Sequence, residues 1–438
     1  MAVLIWCLPR RRAVLPLLIT VSYMPLGQMF VVGGLHFQLL RILLLLGVCR
    51  VFVRGENKQL VVTKLDKLFM WWVVVSLVMG IATGTFVTKG GTMYDATGSY
   101  FLIRCWMRNT DDIRDILRFA GWMILPLALS MIVEKFTRRN IFAVFGGVPP
   151  ITELREGTLR CQGAFRHPIL AGTYAATLFP MFVGLWFQRR KYKMAALVGA
   201  VSATIATGCS GSSGALLAAI SAVIGFALWP MRRNMRAFRW SLIGLIVVLA
   251  IMMQAPVWFL IARVSELFGG TGWHRSYLID QAIKHFDEWW LVGTSYTAHW
   301  APAGQILPTD PNNMDITNHY VAEGINGGLL KLGLFIAMIV QGYKIVGRYT
   351  ARGRGYPVSF QILAWSVGIT LTAHCVSFIS ISYFDQIVVM WYWMLAIFAT
   401  LSISSSISEL SGSVAVGSRT GVTQRRREPA PAPVGAVF

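Results

Sequence analysis

Apolar residues gather along the chain into blocks of about 16 to 22 positions parted by shorter polar stretches, the length an α-helix needs to cross about 30 Å of hydrocarbon. Read in order, the blocks predict spans at 13–32, 35–53, 68–87, 94–107, 116–133, 168–187, 194–209, 214–230, 240–261, 327–343, 360–378 and 387–403. This pattern predicts an all-α polytopic integral membrane protein of about 12 transmembrane helices, with residues 1–403 forming one unit. The fourth block is the weakest, because it is short and carries Arg104. A basic side chain at mid-membrane costs about 2.5–3.5 kcal/mol on insertion scales. Two intervening segments, 134–167 and 263–326, are too long to be connectors, and the second forms a large extracytoplasmic loop before the tenth span. Residues 404–438, rich in Ser, Gly, Pro and Arg without helical periodicity, predict a disordered basic cytoplasmic tail.

Composition agrees with the pattern. Of 438 residues, 55% are hydrophobic and 13% charged, where a soluble domain carries roughly 25% charged. With a mean hydropathy of +0.58, an ordinary cytosolic enzyme is excluded. The net charge of +21, from 40 Lys and Arg against 19 Asp and Glu, would suggest nucleic acid in a soluble chain. Here most of the basic residues fall in the short segments on one side of the spans, so topology explains them and no nucleic-acid partner is expected. Both termini are then cytoplasmic. Lys135, Arg138 and Arg139 break the bias: either their span ends elsewhere or the cluster has a task outside.

Six scattered cysteines without a C-x-x-C give no metal or disulfide framework. Neither G-x-x-x-x-G-K-[ST] nor D-x-D occurs, so no nucleotide, cofactor or metal is expected. The Gly208–Gly214 run does not fit G-x-S-x-G and reads as a tight turn with close helix packing.

Candidate chemistry lies outside the spans. Arg160, Arg166 and His167 precede Pro168, which suits a first helical turn, so guanidinium groups meet a helix N-terminus whose backbone N–H groups attract anions. Arg grips phosphate with a planar fork of donors; lipid headgroups would satisfy the same cations. Late in the large loop, His319 stands about two turns before a span, with Asp315, Asn318, Tyr320 and Glu323 near it in sequence. A neutral imidazole there can take a proton from a hydroxyl, and the plainer alternative is a hydrogen-bonded structural histidine. His274 and Arg275 open an amphipathic stretch that can lie at the interface, and Arg275 is the better phosphate contact. The Trp and Tyr residues of this loop fit a lipid interface as well as they fit substrate contact.

Arg166-x-x-x-Leu170 entering the sixth span, Asp287-Glu288-Trp289-Trp290-Leu291-Val292-Gly293 in the loop, and Asn318-His319-Tyr320 followed by Gly327-Gly328-Leu329-Leu330 together resemble the O-antigen ligase and O-antigen polymerase superfamily of bacterial envelope enzymes. The resemblance covers most of the chain. It implies a glycosyltransferase of the inner membrane that moves a glycan from an undecaprenyl diphosphate carrier to an acceptor hydroxyl of a lipid, growing polysaccharide or protein. The transfer would be inverting, metal-independent and located at the outer face. By the same resemblance, Arg166 and Arg275 are catalytic cations and His319 is the base or acceptor-orienting group. Arg160, His167, Asp315, Asn318 and Tyr320 would bind substrate. The alternative is a polysaccharide or lipid-linked glycan transporter or flippase, which needs polar groups at mid-membrane; intramembrane charge is essentially Arg41 and Arg104. An envelope scaffold is a third class.

Overall fold

The computed structural model describes residues 1–420 other than 28, 33–34, 267–271, 303–305, 308–309 and 352–354. The chain begins with α1 (Ala2–Cys7) and α2 (Leu15–Tyr23), turns through β1 (Met29–Val32) and β2 (Leu35–Gln38), and enters α3 (Leu39–Val53). Then come α4 (Lys64–Ala82), α5 (Phe86–Trp106) and α6 (Thr110–Thr137). A second antiparallel hairpin, β3 (Glu153–Arg155) and β4 (Thr158–Arg160), leads to α7 (Pro168–Trp186), α8 (Lys193–Cys209), α9 (Ser213–Ala227) and α10 (Met235–Met252). The large loop carries α11 (Leu260–Glu266), α12 (Gly272–Lys284), α13 (Phe286–Trp289), β5 (Ile306–Leu307), β6 (Asp310–Met314) and α14 (His319–Ile325). Three long helices follow, α15 (Gly328–Thr350), α16 (Val358–Ser380) and α17 (Gln386–Thr420).

Among the described residues, eight helices have the length and hydropathy to cross a membrane: α4, α6, α7, α8 with the turn before it, α10, α15, α16 and the first part of α17. At 15 residues, α9 is apolar but shorter. The expected first two spans differ most from this arrangement. Within 13–32 only α2 is helical, and an antiparallel hairpin pairs Met29 with Gln38 through Val32 with Leu35. Aromatic and β-branched residues flanking a Gly-Gly pair are a hairpin signal that the apolar run conceals. The fourth block lies in a longer helix, α5, which begins at Phe86 and is not among those eight. The tail expected from residue 404 starts as a continuation of α17 to Thr420, and its remainder, 421–438, lies outside the described residues.

Arg104 is accommodated in α5 by a partner. Asp66 lies 3.0 Å from its guanidinium and also completes the capping box of α4 with Thr63. Arg41 pairs with Asp95 at 2.8 Å. The two basic residues expected as intramembrane charge are therefore each held in an ion pair, as hydrocarbon surroundings demand.

Most of α7 is buried, and its neighbours approach closely through small residues. A Cβ on Gly184 would lie 2.5 Å from the Ser366 hydroxyl of α16, and one on Gly121 of α6 would collide with the Ala195 carbonyl of α8. At the opposite end of α7, a Cβ on Gly172 would collide with the Ser210 hydroxyl just after α8, so the start of α7 and the end of α8, on which the site is built, also meet closely. By contrast, α10 buries none of its residues and from Leu242 onward presents an apolar surface all round.

Candidate functional site

At the end of the bundle where α6 and α8 finish and α7 starts, a cavity of about 710 Å³ opens, a volume usual for small-ligand sites. Five separate stretches of chain line it: the β3–β4 hairpin and its approach to α7, the α8–α9 turn, the start of α12, the residues before α14, and the segment after α16.

The hairpin aims cations at this space. Glu156 and Gly157, at φ of 50° and 76°, make the tight turn between β3 and β4. Pairing of Glu153 with Arg160 and of Arg155 with Thr158 puts all four side chains on one face. Arg155, Thr158 and Arg160 line the cavity, and Arg160 holds Glu153 at 3.1 Å. The hairpin is anchored behind by Glu134, whose carboxylate accepts from the backbone N–H groups of Gln162 (3.1 Å) and Gly163 (2.9 Å) and from the Thr152 hydroxyl. Lys135 donates to the Leu159 carbonyl at 3.0 Å, which gives that basic residue a structural task.

His167 is the N-cap of α7, with Nδ1 accepting from the Ile169 N–H at 3.2 Å. Burial, and then the charge of Arg160, hold its pKa below the ordinary histidine value. The ring therefore stays neutral with its proton on Nε2. Arg275 is buried on α12; desolvation pulls its pKa down and the Arg155 charge adds to the effect. The buried Arg275 guanidinium, with the half-exposed Arg155 charge facing it, gains from an anion placed between them. Beside Arg275, the His274 Nε2–H donates to the Asp315 carbonyl at 3.3 Å, which leaves Nδ1 as the unprotonated nitrogen.

Of the expected site residues, the structure brings Arg160, His167, Arg275 and Asp315 together in the cavity lining. Arg166, His319, Asn318 and Tyr320 are not among the lining residues. Arg166 is exposed, and its charge acts on Asp385, whose pKa burial raises. Asn318 caps α14 by accepting from Tyr320 N–H and Val321 N–H, while the Tyr320 hydroxyl donates to the Cys375 carbonyl at 3.2 Å. His319 packs between Phe378, Tyr383 and Phe335, with ring centroids 4.8, 5.4 and 5.2 Å away. Its Nδ1 accepts from the Tyr383 N–H, and Nε2 faces Glu323 at 3.8 Å. Burial lowers its pKa to about 4. His319 thus holds the segment whose Ser380, Ser382 and Phe384 reach the cavity.

Arg155, His274 and the Gly208–Ser213 turn also line the cavity, beyond the residues expected there. Gly211 takes φ of 55° in the turn and packs against Thr158 and the Leu159 carbonyl of the hairpin, while Gly214 lets α9 approach Ser380 of α16 closely. A Gly following a Glu between two short β-prone runs was the available signal for the hairpin. Away from the cavity, His285, Glu288 and His299 place their ligand atoms within 4.8 Å of one another. No family model matches this chain, and no curated protein matches it either.

Proposed function

We propose that this protein transfers a glycan from an undecaprenyl diphosphate carrier to an acceptor hydroxyl at the outer face of the bacterial inner membrane, in the manner of O-antigen ligases and polymerases, with both termini cytoplasmic. The observation that carries the reading is the convergence of Arg160 and Arg275, from distant parts of the chain, on one cavity at the N-terminus of α7, with Arg155 beside them. A lipid diphosphate is a leaving group that needs cations rather than an energy source, and positioned guanidiniums stabilise its charge as it departs.

In the reaction so read, Arg160 and Arg275 bind the diphosphate while the acceptor oxygen attacks the anomeric carbon from the opposite side. The new C–O bond forms as the bond to the phosphate oxygen breaks, with inversion, and undecaprenyl diphosphate leaves. The hydroxyl proton passes to Nδ1 of His274, oriented by its bond to the Asp315 carbonyl. His319 acts as a positioning residue through Tyr383. The test is a proteoliposome assay with radiolabelled lipid-linked glycans extracted from the native membrane. Release of undecaprenyl diphosphate together with acceptor labelling supports transfer. Translocation of label without release would replace it with the transporter reading.

A further inference from the structure

We infer that His285, Glu288 and His299 form a binding site for a zinc-class divalent metal ion that staples the large loop. His285 closes the end of α12, Glu288 lies in α13, and His299 is brought back to them by the turn before Trp300. His285 Nδ1 and His299 Nε2 both aim at the same carboxylate oxygen, Oε1 of Glu288, at 2.7 and 2.9 Å. The other oxygen, Oε2, accepts from the Trp300 indole N–H at 3.1 Å. That division is the arrangement of a metal ligand with its supporting shell: one carboxylate oxygen presented to the ion, the other tied to a fixed donor.

The rings are held in place before any ion binds. His285 stacks on Trp300 with an interplanar angle of 15°, and His299 stacks on Tyr296 at 14°. The two imidazole planes cross at 90°, as ligands approaching one centre from different directions do. Two nitrogens and one carboxylate oxygen suit Zn²⁺, whereas Ca²⁺ and Mg²⁺ take oxygen donors. Tetrahedral binding at about 2.0–2.2 Å sets ligand atoms about 3.3–3.5 Å apart, so the two N–Oε1 spacings would open by about half an ångström as both imidazoles turn onto the ion, with water completing four-coordination. The ion replaces the two protons that otherwise join the imidazoles to Oε1.

Its place in the molecule separates it from the cavity. The cluster lies at the far end of α12 from Arg275, about 14 Å along the helix at 1.5 Å per residue. The ion supplies no step of the transfer, and it fixes the end of the helix that presents Arg275.

The test uses the full-length protein in detergent, stripped with a chelator and titrated with Co²⁺ under visible absorption, then with Zn²⁺ in competition. The expected result is one ion per chain with an intense tetrahedral Co²⁺ spectrum displaced by Zn²⁺. Glu288→Gln and His299→Ala should abolish the spectrum while eluting as monodisperse protein, and His274→Ala should keep it. Trp300→Phe, which leaves all three ligands in place, should weaken binding about tenfold. Absence of ion uptake by the wild-type chain, or equal uptake by Glu288→Gln and His299→Ala, would overturn the assignment.

Discussion

The backbone N–H of Tyr383 donates to Nδ1 of His319 across 3.2 Å, so the histidine that stands out in sequence serves as a tether for the segment between α16 and α17. With Nδ1 accepting, the ring is neutral, and protonation would break the tether. Its pKa in the fold is about 4 against 6.5 in an unfolded chain. Between those values the unfolded chain binds more protons, so stability is full above about pH 6.5 and falls as the pH drops toward 4, by at most about 3 kcal/mol. Glu323 and Lys331 oppose each other in setting this balance. His319→Asn, whose side-chain oxygen can still accept from Tyr383, should unfold with a shallower pH dependence in detergent than the wild type. An unchanged slope between pH 7.5 and 4.5 would contradict the tether.

Removing Arg275 should impair transfer far more than insertion. Arg275→Ala should lower the rate by about 10²–10³-fold, the usual loss for a donor to a developing anion. Arg275→Lys should recover little, since a point charge cannot reproduce a planar fork. Arg160→Ala should lower the rate as well, and it leaves Glu153 without its cation. Initial rates in proteoliposomes, normalised to inserted protein, provide the check.

Gly121→Ala should destabilise the bundle by about 1–3 kcal/mol, because the added Cβ meets the Ala195 carbonyl on the backbone of α8. Gly333 and Gly347 of α15 have open space around a notional Cβ. Alanine there should leave the melting temperature in detergent unchanged or raise it slightly.

Glu134→Gln should loosen the arginine-bearing hairpin. The carboxylate accepts from two backbone N–H groups and a hydroxyl, and an amide would turn a donor toward donors, at about 1–3 kcal/mol. Limited proteolysis should then cut between residues 138 and 160 faster than in the wild type.

Hydrophobic blocks located most long helices because lipid-spanning length and apolar composition are local properties. Pro168 marked the start of α7 to the residue, and the blocks at 360–378 and 387–403 fall on α16 and α17. Arg104 obscured α5 because its partner Asp66 is on another helix, and a β-hairpin stands where the end of the 13–32 block and the start of the 35–53 block were read as helix. Arg160 and Arg275 were legible from their places near the ends of the two long segments between apolar blocks. Arg155 and His274 enter the cavity only through the Glu156–Gly157 turn and the approach of α12 to residue 315. The burial of His319 depends on Phe378 and Tyr383, which arrive from the far end of α16, so no local spacing could report it.

The most direct measurement is the binding of undecaprenyl diphosphate to the full-length protein in nanodiscs, compared between the wild type and the Arg160→Ala/Arg275→Ala double variant. Tight, salt-sensitive binding that weakens at least tenfold in the double variant is the predicted result. Equal affinity in the two proteins would mean that the cavity does not hold the diphosphate.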